Sequence, residues 1–119
     1  MGQVVIQKLN KQEPSELELA IRYFTIIGAV TGVHLTRKQI QLLAWTAIKG
    51  TISSGGAIKD FITTFDSSKG TLENLKASLI KKGFIVKQEG KYRLIPSLSL
   101  SFQERILLQI NISQLNGTN

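Results

Sequence analysis

The chain has 119 residues, with 15 lysines and arginines against 8 aspartates and glutamates, a formal net charge of +7, and 42% hydrophobic residues, enough for a globular core. At that length it forms one globular unit that buries about two-thirds of its unfolded surface, and the positive charge favours polyanionic partners through counterion release. The absence of cysteine excludes thiolate metal sites, disulfide scaffolds and Cys-His nucleophile systems, and a Ser-His system would have only His34 to draw on.

At the N-terminus, MGQVVIQKLNKQ lacks the apolar core of a secretory signal, so synthesis and residence in a reducing cytoplasm are expected. Val4 and Ile6 alternate as a short strand would, with Leu9 beyond them. Pro14-Ser15 then opens a helix in which Leu17, Ala20, Ile21, Phe24 and Ile27 recur at helical spacing, and Glu13, Glu16 and Glu18 offset the dipole at its start. Gly28 and Gly32 loosen its end. The longest charge-free apolar stretch, Tyr23–Val33, is too short to span a bilayer, so no membrane partner is expected.

His34 reads as a loop residue. Thr36 to Gln39 spells a capping box ahead of a second helix, with Ile40, Leu43, Ala44, Ala47 and Ile48 on one face and Gly50 after it. Leu42 and Trp45 fall outside that stripe, which places the helix between the first helix and the core and makes Trp45 a packing residue rather than a binding platform. Thr51-Ile52 can supply a short strand. Ser53-Ser54-Gly55-Gly56 leads into Ala57, Ile58, Phe61, Ile62 and Phe65 at helical spacing; the glycine pair lacks the Lys-Ser/Thr of a P-loop and reads as a flexible helix start. Asp66 to Ser68 is a turn.

Ser67 or Ser68 caps a further helix with Leu72, Leu75 and Leu79 on one face, closed by Lys81, Lys82 and Gly83. Phe84, Ile85 and Val86, a tip at Glu89-Gly90, and Tyr92 and Leu94 in alternation read as a hairpin ended by Pro96. Beyond it Leu98, Leu100 and Phe102 alternate with serines as in a strand. Leu108, Ile110 and Ile112 do so with Gln109 and Asn111, although this last segment, with Ile106 and Leu107, equally suits a helix. Residues 1–10 and 98–115 are expected to form oligomer contacts, because apolar segments and strand edges invite pairing with another chain. The sequons at Asn111 and Asn116 read as chance matches.

Charge is concentrated in residues 69–93, where Lys69, Lys76, Lys81, Lys82, Lys87, Lys91 and Arg93 face Glu73 and Glu89, a net +5 of the chain's +7. The run S-x-x-x-x-x-N-x-x-x-x-L-x-K-K-G-F-I from Ser68 to Ile85, followed by the hairpin and I-P-x-L from Ile95, resembles the winged-helix family of helix-turn-helix domains, in the style of small phage and plasmid regulators and replication proteins. The resemblance covers residues 35–102 and implies an α+β, mainly helical unit with a β-hairpin wing. Residues 1–34 then form a strand-and-helix extension and 103–119 a C-terminal apolar arm.

That resemblance implies two functions, neither of them enzymatic. In the first, Ser68, Lys69, Gly70, Glu73, Asn74 and Lys76 face a DNA groove and Lys87, Lys91 and Arg93 form the wing; Asn74 pairs with adenine while the cations hold phosphates of duplex DNA bound by a dimer. In the second, the unit is an interlocking module of a phage particle that meets other protein subunits. Scattered carboxylates, with Asp60 and Asp66 six apart around apolar residues, offer no metal or catalytic constellation. No cofactor and no small-molecule substrate are expected; the site of action is the bacterial cytoplasm, or the virion in the assembly reading.

Overall fold

The structure, a computed structural model, describes residues 15–53 and 55–105. Helix α1 (Glu16–Thr31) is followed by α2 (Arg37–Lys49), α3 (Gly55–Thr64), α4 (Lys69–Lys81), strands β1 (Ile85–Gln88) and β2 (Lys91–Leu94), and α5 over residues 96–105. The fold is α+β, mostly helical, with one two-stranded antiparallel sheet among the described residues. Among them no helix is long and apolar enough to cross a membrane. The expected strand at Val4–Leu9 and the segment Leu108–Ile112 lie outside the described residues, as do most of the expected oligomer contacts.

Local chemistry starts and stops these helices. The Ser15 hydroxyl accepts from Glu18 N at 3.1 Å, and Ser68 caps α4 by accepting from Thr71 N at 3.1 Å. At α2 the capping box is complete: Gln39 N donates to Thr36 Oγ1 at 3.2 Å and Thr36 N donates to Gln39 Oε1 at 2.9 Å. Gly83, at φ +86°, takes the left-handed conformation that turns the chain out of α4 and into β1. The hairpin pairs Ile85 with Leu94, Val86 with Arg93, Lys87 with Tyr92 and Gln88 with Lys91. Its tip, Glu89 and Gly90, has positive φ at both positions, the two-residue turn whose twist matches the strands.

The core is continuous from α1 to α5. Helix α2 touches α1, α3, α4 and β2, which explains why it is apolar on more than one side. Trp45 is buried as expected, donating Nε1–H to Ala57 O at 3.1 Å and packing edge-on against Phe61 and Phe65. Gly28 does not loosen α1. The helix runs on to Thr31 and ends at Gly32, while Gly28 is buried where a Cβ would lie 3.2 Å from Leu35 Cδ1. Thr51-Ile52 forms no strand; Ile52 N donates to Tyr92 O at 3.1 Å in a single rung.

Residues 96–105 differ from their alternating pattern, being helical rather than extended. Pro96 occupies the first helical position, where its missing N–H costs nothing, and Leu98 and Ser99 N donate to Ile95 O at 3.1 and 3.0 Å. Leu98 and Phe102, four apart, both enter the core, and Leu100 is left 58% exposed. Phe102 stacks on Phe24 at 5.8 Å between centroids and meets Tyr23 edge-on at 5.6 Å, and Tyr23 OH donates to Ser101 Oγ at 2.7 Å. Leu98 and Phe102 are therefore spent within the chain rather than on oligomer contacts. The helix also runs through the expected boundary between residues 102 and 103.

Gln39, only 6% exposed, joins the start of α2 to the end of α4. Besides its capping role, its Nε2 donates to Ser78 Oγ at 2.9 Å, and its Oε1 accepts from Lys82 Nζ at 2.9 Å; Lys82 also donates to His34 O at 2.6 Å. Replacing Gln39 by leucine removes half of the capping box and takes one hydrogen bond from each of Ser78 and Lys82. The expected loss is about 2 kcal/mol, read as a lower urea midpoint with an unchanged slope; a change under about 0.5 kcal/mol would show the network to be neutral.

Candidate nucleic-acid interface

Helix α4 follows α3 through a turn in which Asp66 takes a positive φ of 49°, and the hairpin follows α4 directly. The stripe Leu72, Leu75 and Leu79 is turned inward, with Leu72 and Leu79 fully buried. The opposite face of α4 is thereby left outward, and it carries Lys69, Gly70, Glu73 and Asn74, all exposed. Among the described residues the side chains of Lys69, Asn74, Lys91 and Arg93 have no hydrogen-bond or ion-pair partner within the protein. Their donors are open to a ligand. Gly70 has open space around it, with Ser68 Oγ at 4.0 Å from a built Cβ.

Not every expected contact residue is equally available. Ser68 Oγ is occupied by Thr71, accepting from its N–H and donating to its Oγ1 at 3.0 Å, so its work is capping. The Lys76 side chain is 13% exposed and its ammonium lies 3.0 Å from Glu73 Oε2. It also sits 4.3 Å from the centroid of the Tyr92 ring. Lys82, one of the seven cations of this stretch, is committed to His34 and Gln39.

The hairpin register sorts the remaining cations. Cross-strand partners share a face and successive pairs alternate, so Lys87 and Tyr92 lie on the side of the buried Ile85–Leu94 pair, and Arg93 and Lys91 on the other. The fold brings Lys76 and Lys87 to one aromatic ring, Lys87 Nζ standing 5.6 Å from its centroid. Lys91 and Arg93 are not brought to that ring. Arg93 instead borders an open groove with Gln88, Gly50, Pro96 and Gln103.

Tyr92 is the residue that sequence reasoning missed as part of this surface. Its N–H donates to Ser53 Oγ, and its carbonyl accepts from Ile52 N at 3.1 Å and Thr51 Oγ1 at 2.9 Å. The loop after α2 thereby fixes its backbone. The signal was present in the two-residue tip, because a Glu89-Gly90 turn fixes Lys87 opposite Tyr92.

Among the described residues no group of three or more histidine, aspartate or glutamate side chains could hold a metal ion. No profile of a known family, no curated protein and no solved structure matches the chain.

Proposed function

We propose that the chain is a non-enzymatic winged-helix protein that binds duplex DNA, a regulator or replication accessory of the phage or plasmid kind acting in a bacterial cell. In this reading α3 and α4 are the helix-turn-helix pair, α4 enters the major groove, and the hairpin is the wing. The observation that carries it is the outward face of α4, where Lys69 and Asn74 have uncommitted donors, beside a hairpin bearing Lys87, Lys91 and Arg93. An amide can pair bidentately with adenine, and the ammonium and guanidinium groups suit phosphate oxygens. With Glu73 on the same face and no arginine on α4, backbone contacts supply most of the affinity.

The test is size-exclusion chromatography with light scattering on the full chain, with and without a random duplex of about two helical turns. A shift onto DNA at about 50 mM salt is expected, with log K falling against log salt at a slope of about −4 for the four open or partly open cations Lys69, Lys87, Lys91 and Arg93. Failure to shift on any duplex at low salt would overturn the reading.

A second reading is favoured by one observation. Ile26 and Val30, one turn apart on α1, are 51% and 77% exposed among the described residues. An apolar strip of this kind suits the alternative in which the winged helix is an assembly module of a phage particle. A large closed oligomer indifferent to DNA in the same experiment would select it.

A further inference from the structure

We propose that Lys76 and Lys87, both held over the Tyr92 ring, form one phosphodiester subsite at the junction of α4 and the hairpin, and that the Glu73 carboxylate occupies it until a DNA phosphate displaces it. The inference rests on the DNA-binding reading and adds to it a defined ligand position and a built-in competitor.

The Lys76 ammonium meets both carboxylate oxygens of Glu73, at 3.2 Å to Oε1 and 3.0 Å to Oε2. Two oxygens of one anionic group on one ammonium is also how a phosphodiester presents its two non-bridging oxygens. The partners are unequally held. Lys76 lies along the Tyr92 ring with its side chain 13% exposed, whereas that of Glu73 is 47% exposed. A rotamer change can carry the carboxylate into solvent while the ammonium stays in place.

Tyr92 makes the two lysines one site. Its backbone is fixed on both sides by Thr51, Ile52 and Ser53, and its ring contacts Lys76 at 4.3 Å and Lys87 at 5.6 Å to the centroid. The ring steadies both cations without neutralising them, as the face of an aromatic quadrupole does. Glu73–Lys76 is the one ion pair among the described residues. A pair three residues apart on a helix, with its carboxylate half-exposed, is weak, so a strand of DNA carrying many charges displaces it.

The experiment is a double-mutant cycle on the full chain: wild type, Glu73→Gln, Lys76→Gln and the double variant, each titrated with a random duplex by fluorescence anisotropy over a range of salt. Removing the competitor should tighten binding up to about five-fold at low salt, the worth of a weak surface pair, and leave the salt slope unchanged, because the wild type reaches the same phosphate once Glu73 is displaced. In the Lys76→Gln background the same substitution should change affinity less than about two-fold, because the ammonium it unmasks is gone. Equal gains in both backgrounds would reduce Glu73 to a diffuse charge effect and overturn the subsite, as would no gain at all; in either case wild-type binding leaves the DNA reading standing. If neither wild type nor Glu73→Gln binds duplex at low salt, both fall. Thermal melts confirm that each variant is folded.

Discussion

Replacing Phe24 by alanine should cost about 3–5 kcal/mol, a large share of the roughly 5–15 kcal/mol that holds a domain of this size together. Phe24 is fully buried, lies edge-on to Tyr23 at 5.0 Å and stacks on Phe102 at 5.8 Å, so its removal opens a void bounded by both α1 and α5. Urea unfolding followed by the Trp45 signal reads the loss. Two companion variants test the helical reading of residues 96–105. Leu98→Ala should cost about 2 kcal/mol or more, and Leu100→Ala should stay within about 0.5 kcal/mol because Leu100 faces solvent. Equal costs at both positions would instead indicate the alternating strand that the pattern Leu98-Ser99-Leu100-Ser101-Phe102 suggests.

The second large effect is on binding. Changing Lys69, Lys87 and Lys91 together to glutamine should weaken duplex affinity between about a hundred- and a thousand-fold at about 0.1 M salt and reduce the salt slope by about three. All three are exposed, so urea stability should move by less than about 1 kcal/mol. Asn74→Ala separates base reading from charge: it should leave the slope unchanged and lower affinity only for particular sequences, by about 1–3 kcal/mol at a cognate adenine. Loss of affinity in the triple variant with an unchanged slope would mean that these cations do not neutralise phosphates.

These expectations depend on features that differ in how openly the chain displays them. The outward face of α4 was legible, because Leu72, Leu75 and Leu79 define the inward stripe and the remaining positions follow from the helical period. What could not be read was commitment. Lys82 and Lys76 look like the other lysines of the run, yet one is held by Gln39 and His34, more than forty residues earlier, and the other, beyond its local pair with Glu73, by Tyr92 on the hairpin. Partners so distant in sequence leave no mark in local composition. Gly28 misled for the same reason: a glycine near a helix end reads as a loosening signal, and only the approach of Leu35 shows it as a packing point.

Local sequence was enough to place the helix starts at Ser15 and Thr36, the start of α4 to within one residue at Ser67 or Ser68, the reversal at Gly83 and the hairpin tip at Glu89-Gly90. Caps and turns act through backbone hydrogen bonds spanning four or five residues, so their instructions are complete within a short window. Tertiary packing settled that residues 96–105 are helical, that Tyr92 gathers Lys76 and Lys87, and that Gln39 joins the start of α2 to the end of α4. In a short apolar segment periods of 2 and 3.6 fit almost equally well, and the choice falls to whichever conformation buries more against what is already there. Here a helix sets Leu98 and Phe102 on one face and carries Phe102 onto Tyr23 and Phe24.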